Sequence, residues 1–242
     1  MRPYVGTILA EDYEFIRPGI KAVKDATIWF RTHGAHIDIQ HEQRYWEYGS
    51  AVQAMMSLPA KLNRMEVLDV GSGHGALGPT LALTWGHQVT ECEPDPGALQ
   101  SRVECNRILA QVGRDPITVI QQGIDNLPER EFDAVCCMSV LEHIAGDTQE
   151  HWVELAKRVK KGGLLFVTVD CLQYENKVYH NDNLRNQKFT PEFMKTKVDW
   201  LMNQGFTPLG GEPDYRWNGA YVFDYTFMRI GMERIVNGDA GV

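Results

Sequence analysis

The 242 residues predict an α/β fold with a doubly wound, largely parallel sheet. Two observations carry that prediction. From about residue 65, short β-rich apolar runs alternate with stretches of helical periodicity, which implies βαβ crossovers and helices on both faces of the sheet. One of the runs, "LLFVTVD" (164–170), is apolar enough to be a central strand covered on both sides. The length suits one substantial domain, since single cores stop growing near roughly 250–300 residues.

The elements follow in order. "RMEVLDV" is the first strand of the series, and "ALGPTLALTWG" places Leu77, Leu81 and Trp85 at helical spacing. Pro79 is tolerable there because it falls within the first turn. "HQVTECE" is the next strand. The helix in "DPGALQSRVECNRILAQVG" is expected to turn Leu99, Val103, Ile108 and Leu109 to the core and to stop at Gly113. Strands in "PITVIQQ" and "EFDAVCCMSV" come next, then a helix in "DTQEHWVELAKRVKKGG" that Gly162 and Gly163 close ahead of "LLFVTVD". "TPEFMKTKVDWLMNQG" reads as a helix with Thr190 as N-cap, Pro191 at its first position and Gly205 as its stop. "FTPLGG" and "AYVFDYTFMRI" are two last strands. Residues 1–60 lack this order and read as an N-terminal helical extension, or lid, with one helix in "HEQRYWEYGSAVQAMMSL". The main domain then occupies residues 61–235.

Composition narrows the function. The formal net charge is −8, and the densest basic cluster, Lys157, Arg158, Lys160 and Lys161, closes a predicted helix, where cations complement the dipole. An acidic chain without a larger basic stripe argues against a nucleic-acid partner. No run approaches the roughly 18 apolar residues of a membrane span, and the first residues carry acids too early for a secretory signal. A cytoplasmic protein is expected. The five cysteines have no C-x-x-C spacing, so they read as reduced, buried thiols and not as a disulfide framework or a zinc site.

"VLDVGSGHGALG" (67–78) is the chemically informative stretch. Gly71, Gly73 and Gly75 let the backbone turn sharply and approach a ligand. The spacing also fits a dinucleotide loop, with Ala76 in the last position of G-x-G-x-x-[GA]. Asp69 weighs against that ligand, because a carboxylate beside the glycines repels a pyrophosphate and suits an ammonium group. A cap on the turn after the strand is the alternative use of that side chain. Glu93 ends the next strand, 24 residues on, where an acid accepts ribose hydroxyls of any adenosine ligand.

"EVLDVGSGHG", "VTECEPD", "LPEREFDAVCCMSVLEHI" and "VKKGGLLFV" together resemble the successive motifs of class I S-adenosylmethionine-dependent methyltransferases, over roughly residues 65–170. The resemblance implies a Rossmann-like sheet of seven strands, the last antiparallel, and S-adenosylmethionine as cofactor. It implies that Asp69, Gly71, Ser72, Gly73 and Gly75 hold the methionine end, with Ser139 beside it, and that Glu93 takes the ribose. Gly123 and Ile124 fall at the family's adenine position. Many relatives have an aspartate at 123, so here the acceptor for the adenine amino group must be backbone or Asp125. Some relatives that methylate quinol precursors hold magnesium with a Glu-x-x-Glu-His run. This chain keeps Glu142 and His143 but has Ser139 in the first position, so no metal is expected.

His143 projects from the loop after the fourth strand, at the sheet edge where doubly wound folds bind ligands, and reads either as a general base or as an orienting or packing histidine. "CMSVLE" lacks the proline and aromatic of the turn that receives exocyclic amines, which disfavours DNA adenine or protein glutamine as acceptor. Acceptor contacts are expected from outside the motifs: Trp46 and Tyr48 in "RYWEYG", and Tyr179, His180 and Arg185 in the long connection after the fifth strand. The expected activity is methyl transfer to a small polar acceptor, at oxygen. A non-catalytic cofactor-binding scaffold and an NAD-dependent oxidoreductase are the competing readings.

Overall fold

The computed structural model describes residues 5–7, 12–39, 42–58, 64–144, 148–171, 177–181, 184–215 and 226–235. Its main sheet runs β1 (Val5–Thr7), β10 (Thr226–Arg234), β6 (Val159–Cys171), β5 (Phe132–Met138), β2 (Glu66–Val70), β3 (Gln88–Cys92), β4 (Thr118–Ile120), with β9 (Phe206–Pro208) also pairing β10. Strands β2 to β6 pair in parallel, and β10 runs antiparallel to β6, β9 and β1. The seven expected strands are thus present, and β1 adds an eighth. A separate hairpin, β7 (Lys177–Asn181) with β8 (Leu184–Lys188), lies within the long connection after β6.

Among the described residues six helices cover the sheet: α1 (Tyr13–Thr32), α2 (Gln43–Met56), α3 (Leu77–Trp85), α4 (Pro96–Gln111), α5 (Gln149–Lys157) and α6 (Pro191–Asn203). Alternation along the strands sends side chains to two cores. Ala134, Cys136, Leu164 and Phe166 pack with α1 to α4. Val135, Cys137, Leu165 and Val167 pack with Trp152, Leu155, Met194 and Leu201 of α5 and α6. This period of two with both faces buried explains why the central strands read as continuous apolar runs. All five cysteines are free and buried, and burial pushes the Cys92 thiol pKa up to about 12. No described helix is long and apolar enough to cross a membrane.

Three local readings change. The N-terminal region holds two helices, not one. The buried residues of α1, Ile16, Gly19, Ile20, Val23, Ala26, Thr27 and Phe30, recur at helical spacing, and Pro18 lies inside the helix. Helix α4 is rotated from the expected phase: Leu99 and Val103 are 41% and 51% exposed, while Ala98, Ser101, Arg102 and Cys105 face inward beside Ile108 and Leu109. A charged residue can take that inward position because Glu91 pairs with it.

The third change concerns Gly162 and Gly163. Helix α5 ends at Lys157, and the glycines sit inside β6, where the pairing jumps from Phe132↔Val159 to Ala134↔Leu164. They form a bulge, with Gly162 at φ 67° and no room for a side chain on Gly163 between the carbonyls of Lys160 and Asp133. Lys160 therefore lies in a strand and pairs with Glu66 at 2.6 Å, so it does not serve a helix end. Of the last predicted strand, residues 220–225 lie outside the described residues.

Candidate active site

The glycine loop leaves β2 where its neighbours β3 and β5 lead in opposite directions across the sheet, the switch point at which such folds open a crevice. Gly71 and Gly73 adopt φ 68° and 50°. Gly71 needs glycine for a second reason, since a Cβ there would run into the Val140 side chain. A Cβ on Gly73 would meet no atom within 4 Å, so that residue borders open space.

Carboxylates hold this loop. Glu93 accepts from the Gly73 N–H at 2.8 Å and from the Asp95 N–H at 2.9 Å. Beneath it, Glu91 accepts from the Ser72 hydroxyl at 3.0 Å and from Arg102 Nε at 2.5 Å. Arg102 Nη2 in turn donates to the Gly75 carbonyl at 2.9 Å and to that of Gly73 at 3.3 Å. Both charges of this ion pair are out of solvent, at 1% and 0% side-chain exposure. Asp69 is buried beside them and accepts from the Gly78 N–H in the first turn of α3. Burial and the Glu91 carboxylate hold its pKa well above the usual carboxylate range, with Arg102 opposing.

Helix α2 forms the facing wall. Arg44 Nη1 lies 3.3 Å from Glu47, whose fully buried carboxylate accepts from the hydroxyls of Ser139 and Thr168, each at 2.6 Å. Ser139 follows β5 at φ 52°, unusual for a residue with a side chain, and its N–H donates to the Thr168 carbonyl at 2.9 Å. Burial pushes the Tyr48 phenol pKa up, so it remains a hydroxyl at neutral pH.

Between the walls lies a cleft of about 580 Å³, of the size that takes a small ligand. Gly71, Ser72, Gly73, Gly75, Glu93, Ser139, Tyr48 and His143 all line it. His143 is exposed at its rim, on the short turn Leu141–His143, and the β7–β8 hairpin packs β8 against that turn. Glu142 points the other way, fully buried and accepting from the Asp170 N–H at 3.2 Å.

Asp69, Gly123, Ile124 and Trp46 are not among the lining residues. The Ile124 side chain is buried in the α5–α6 core, and Trp46 packs on Tyr13 with ring centroids 5.4 Å apart, beside Ile16 and Ile20. Tyr179, His180 and Arg185 are backbone positions of the hairpin, with His180 opposite Arg185, and their side chains lie outside the described residues.

Residues 68–167 match the family of methyltransferase domains. That segment is similar to methyltransferase domains, and the sheet it contributes to has the Rossmann-like order described above. A ubiquinone biosynthesis O-methyltransferase of Rickettsia prowazekii (strain Madrid E) is 28% identical over 141 residues, 58% of this chain and 53% of that protein. The chain thus matches about half the length of that curated relative. A Burkholderia thailandensis 1,6-didemethyltoxoflavin-N1-methyltransferase, solved with 1,6-didemethyltoxoflavin and S-adenosylhomocysteine, superposes with a TM-score of 0.53 at 20% identity, covering 76% of this chain and 77% of that one. The [4+2]-cyclase SpnF gives 0.61 at 17% identity over 96% and 99%. These structures share the fold, and fold alone does not choose between their chemistries.

The matched segment does not build the cleft alone. Arg44, Glu47, Tyr48 and Asp38 precede residue 68, and the first three come from one helix. Asp38 lies in the α1–α2 connection, which crosses the glycine loop through a 2.9 Å bond from its N–H to the His74 carbonyl. Sequence reasoning did not single out Arg44, Asp38, Arg102 or Thr168. The spacing of Arg44 and Glu47 is an ordinary i, i+3 pair, and only the fold reveals that Glu47 reaches Ser139, 92 residues away.

Proposed function

We propose that this chain is an S-adenosylmethionine-dependent methyltransferase that methylates an oxygen of a small polar acceptor. The charge pattern of the cleft is the observation that carries the reading. Arg44 is the one Arg or Lys among the described residues that line it, against the acids Asp38, Glu93 and Asp95. One cation suits one carboxylate, and an acidic lining suits an ammonium and a sulfonium. A pyrophosphate would meet three acids and a single cation, which weighs against NAD.

Arg44 would hold the methionine carboxylate and Glu93 the ribose hydroxyls, while the open flank of Gly73 lets the backbone approach the ligand. When bound, the cofactor supplies an electrophilic methyl group on a positively charged sulfur. What the chain contributes is alignment, because in-line displacement depends mainly on proximity and an unprotonated nucleophile. His143 at the cleft rim would take the proton of the acceptor hydroxyl as that oxygen attacks. The relative named for ubiquinone biosynthesis supports oxygen as the acceptor atom. Sugars, saccharide intermediates and hydroxylated secondary metabolites are the acceptor classes we assign.

Two measurements test this. Calorimetric titration is expected to give saturable binding of S-adenosylhomocysteine and none of NAD, and the reverse pattern sinks the cofactor assignment. Incubation with methyl-labelled S-adenosylmethionine and a metabolite extract is expected to yield a labelled hydroxyl-derived ether. Binding without any labelled product would mean a scaffold.

A further inference from the structure

We infer that Glu47 is a positioning residue of the cofactor cleft, setting cofactor affinity from the N-terminal helices without touching the ligand. Its carboxylate is fully buried and lies outside the cleft lining. Three groups converge on its Oε2: the Ser139 and Thr168 hydroxyls, each at 2.6 Å, and Arg44 Nη1 at 3.3 Å. Two of these, Ser139 and Arg44, line the cleft. One carboxylate oxygen therefore fixes two lining residues that come from different elements, Arg44 from α2 and Ser139 from the end of β5.

The Ser139 corner shows why an anchor is needed. A serine at φ 52° is held against its own backbone preference, so surrounding bonds must over-determine it. Its N–H is tied to the Thr168 carbonyl and lies 3.1 Å from the Thr168 hydroxyl, and the Ser139 and Thr168 hydroxyls meet at Glu47. Arg44 needs an anchor too. Its guanidinium also lies 3.5 Å from the Met138 carbonyl, and a charge-assisted fork is a directional ligand only when its orientation is fixed. Helix α2 is itself pinned one turn further on, where Ser50 lies 3.4 Å from Arg229, which sits opposite Thr168 on β10 and pairs with Asp12 at 2.8 Å. The helix thus meets the sheet through two buried polar clusters, and Glu47 is the centre of the one at the cleft.

This inference rests on the cofactor reading above, and the experiment separates the two. Calorimetry with S-adenosylhomocysteine on the wild-type chain checks the reading. Glu47→Ala and Glu47→Gln then check the inference, each with thermal unfolding recorded without ligand. Glu47→Gln keeps the shape and can still accept from both hydroxyls, but it removes the charge facing Arg44, and an affinity loss of about tenfold is expected. Glu47→Ala releases the Ser139 corner as well and is expected to lose more. Because glycine adopts a positive φ without penalty, Ser139→Gly in the Glu47→Ala background is expected to recover part of both the affinity and the melting temperature. A carboxylate that merely fills space would give a fall in melting temperature with affinity intact and no recovery from Ser139→Gly, and that pattern would overturn the inference. The unliganded coupling between positions 47 and 139 remains readable even if the wild-type chain fails to bind the ligand.

Discussion

The two walls of the cleft are held by different means. On the glycine-loop side, backbone atoms make the surface and side chains support it from behind: Glu93 takes two N–H groups, and Arg102 takes two carbonyls. On the α2 side, side chains make the surface, and bonds between distant segments hold them, with Glu47 reaching Ser139 and Thr168 across 92 and 121 residues. A backbone wall depends on local conformation and on keeping side chains out. A helical wall depends on docking, so a change in the helix crossing moves every group it carries.

The largest expected effect lies behind the backbone wall. Arg102→Leu leaves the Glu91 carboxylate buried without its ion-pair partner and frees two loop carbonyls, at an expected cost of about 3–5 kcal/mol in denaturant unfolding. If the loss is small, the ion pair does not hold the loop and the contrast between the walls weakens. The helical wall is challenged next at the α1–α2 crossing, where a Cβ on Gly49 would lie 2.7 Å from the backbone N of Ile20. Gly49→Ala is expected to destabilise by about 1–3 kcal/mol through overpacking and to weaken S-adenosylhomocysteine binding at the same time. An affinity that stays at the wild-type value would show that the cleft does not follow the helix crossing.

The smallest effect concerns His87, which lies outside both walls. Its Nδ1 accepts from the Met65 N–H at 3.1 Å, and burial lowers its pKa from the ordinary 6.5, with Asp133 opposing. The unfolded chain therefore takes up this proton before the folded one does as the solution is acidified. The contribution is fully present above pH 6.5 and is lost as pH falls through the lower folded value. Wild-type stability is expected to fall more steeply between pH 7 and 5.5 than that of His87→Gln, as followed by thermal unfolding. Parallel slopes would contradict the assignment.

The backbone wall was legible before the fold was known because its information is local. Glycine spacing, the acid at the end of β3 and the Thr190 cap all act within a few residues, and Thr190 accepts from the Phe193 N–H. The helical wall was legible only in Tyr48 and Ser139, which line the cleft as expected, because Arg44, Glu47 and Thr168 acquire their roles only when α2 lands on β5 and β6. Arg102 was hidden for a different reason: hydrophobic periodicity puts Leu99 and Val103 inward, and a buried ion pair rotates the helix away from that answer. Asp69 was noticed as a carboxylate near a ligand loop, and its hydrogen bond joins the loop to the first turn of α3.

The contact between Gly71 and Val140 has a mechanical consequence. The space left by the absent side chain on one loop is filled by the valine of another, so the two loops mesh sterically. Val140 is three residues before His143, on the same turn. The turn and the glycine loop thus meet through van der Waals contact at this point. The turn that carries His143 and the glycine loop are therefore fitted to each other at the cleft, so a larger residue at 71 would displace both.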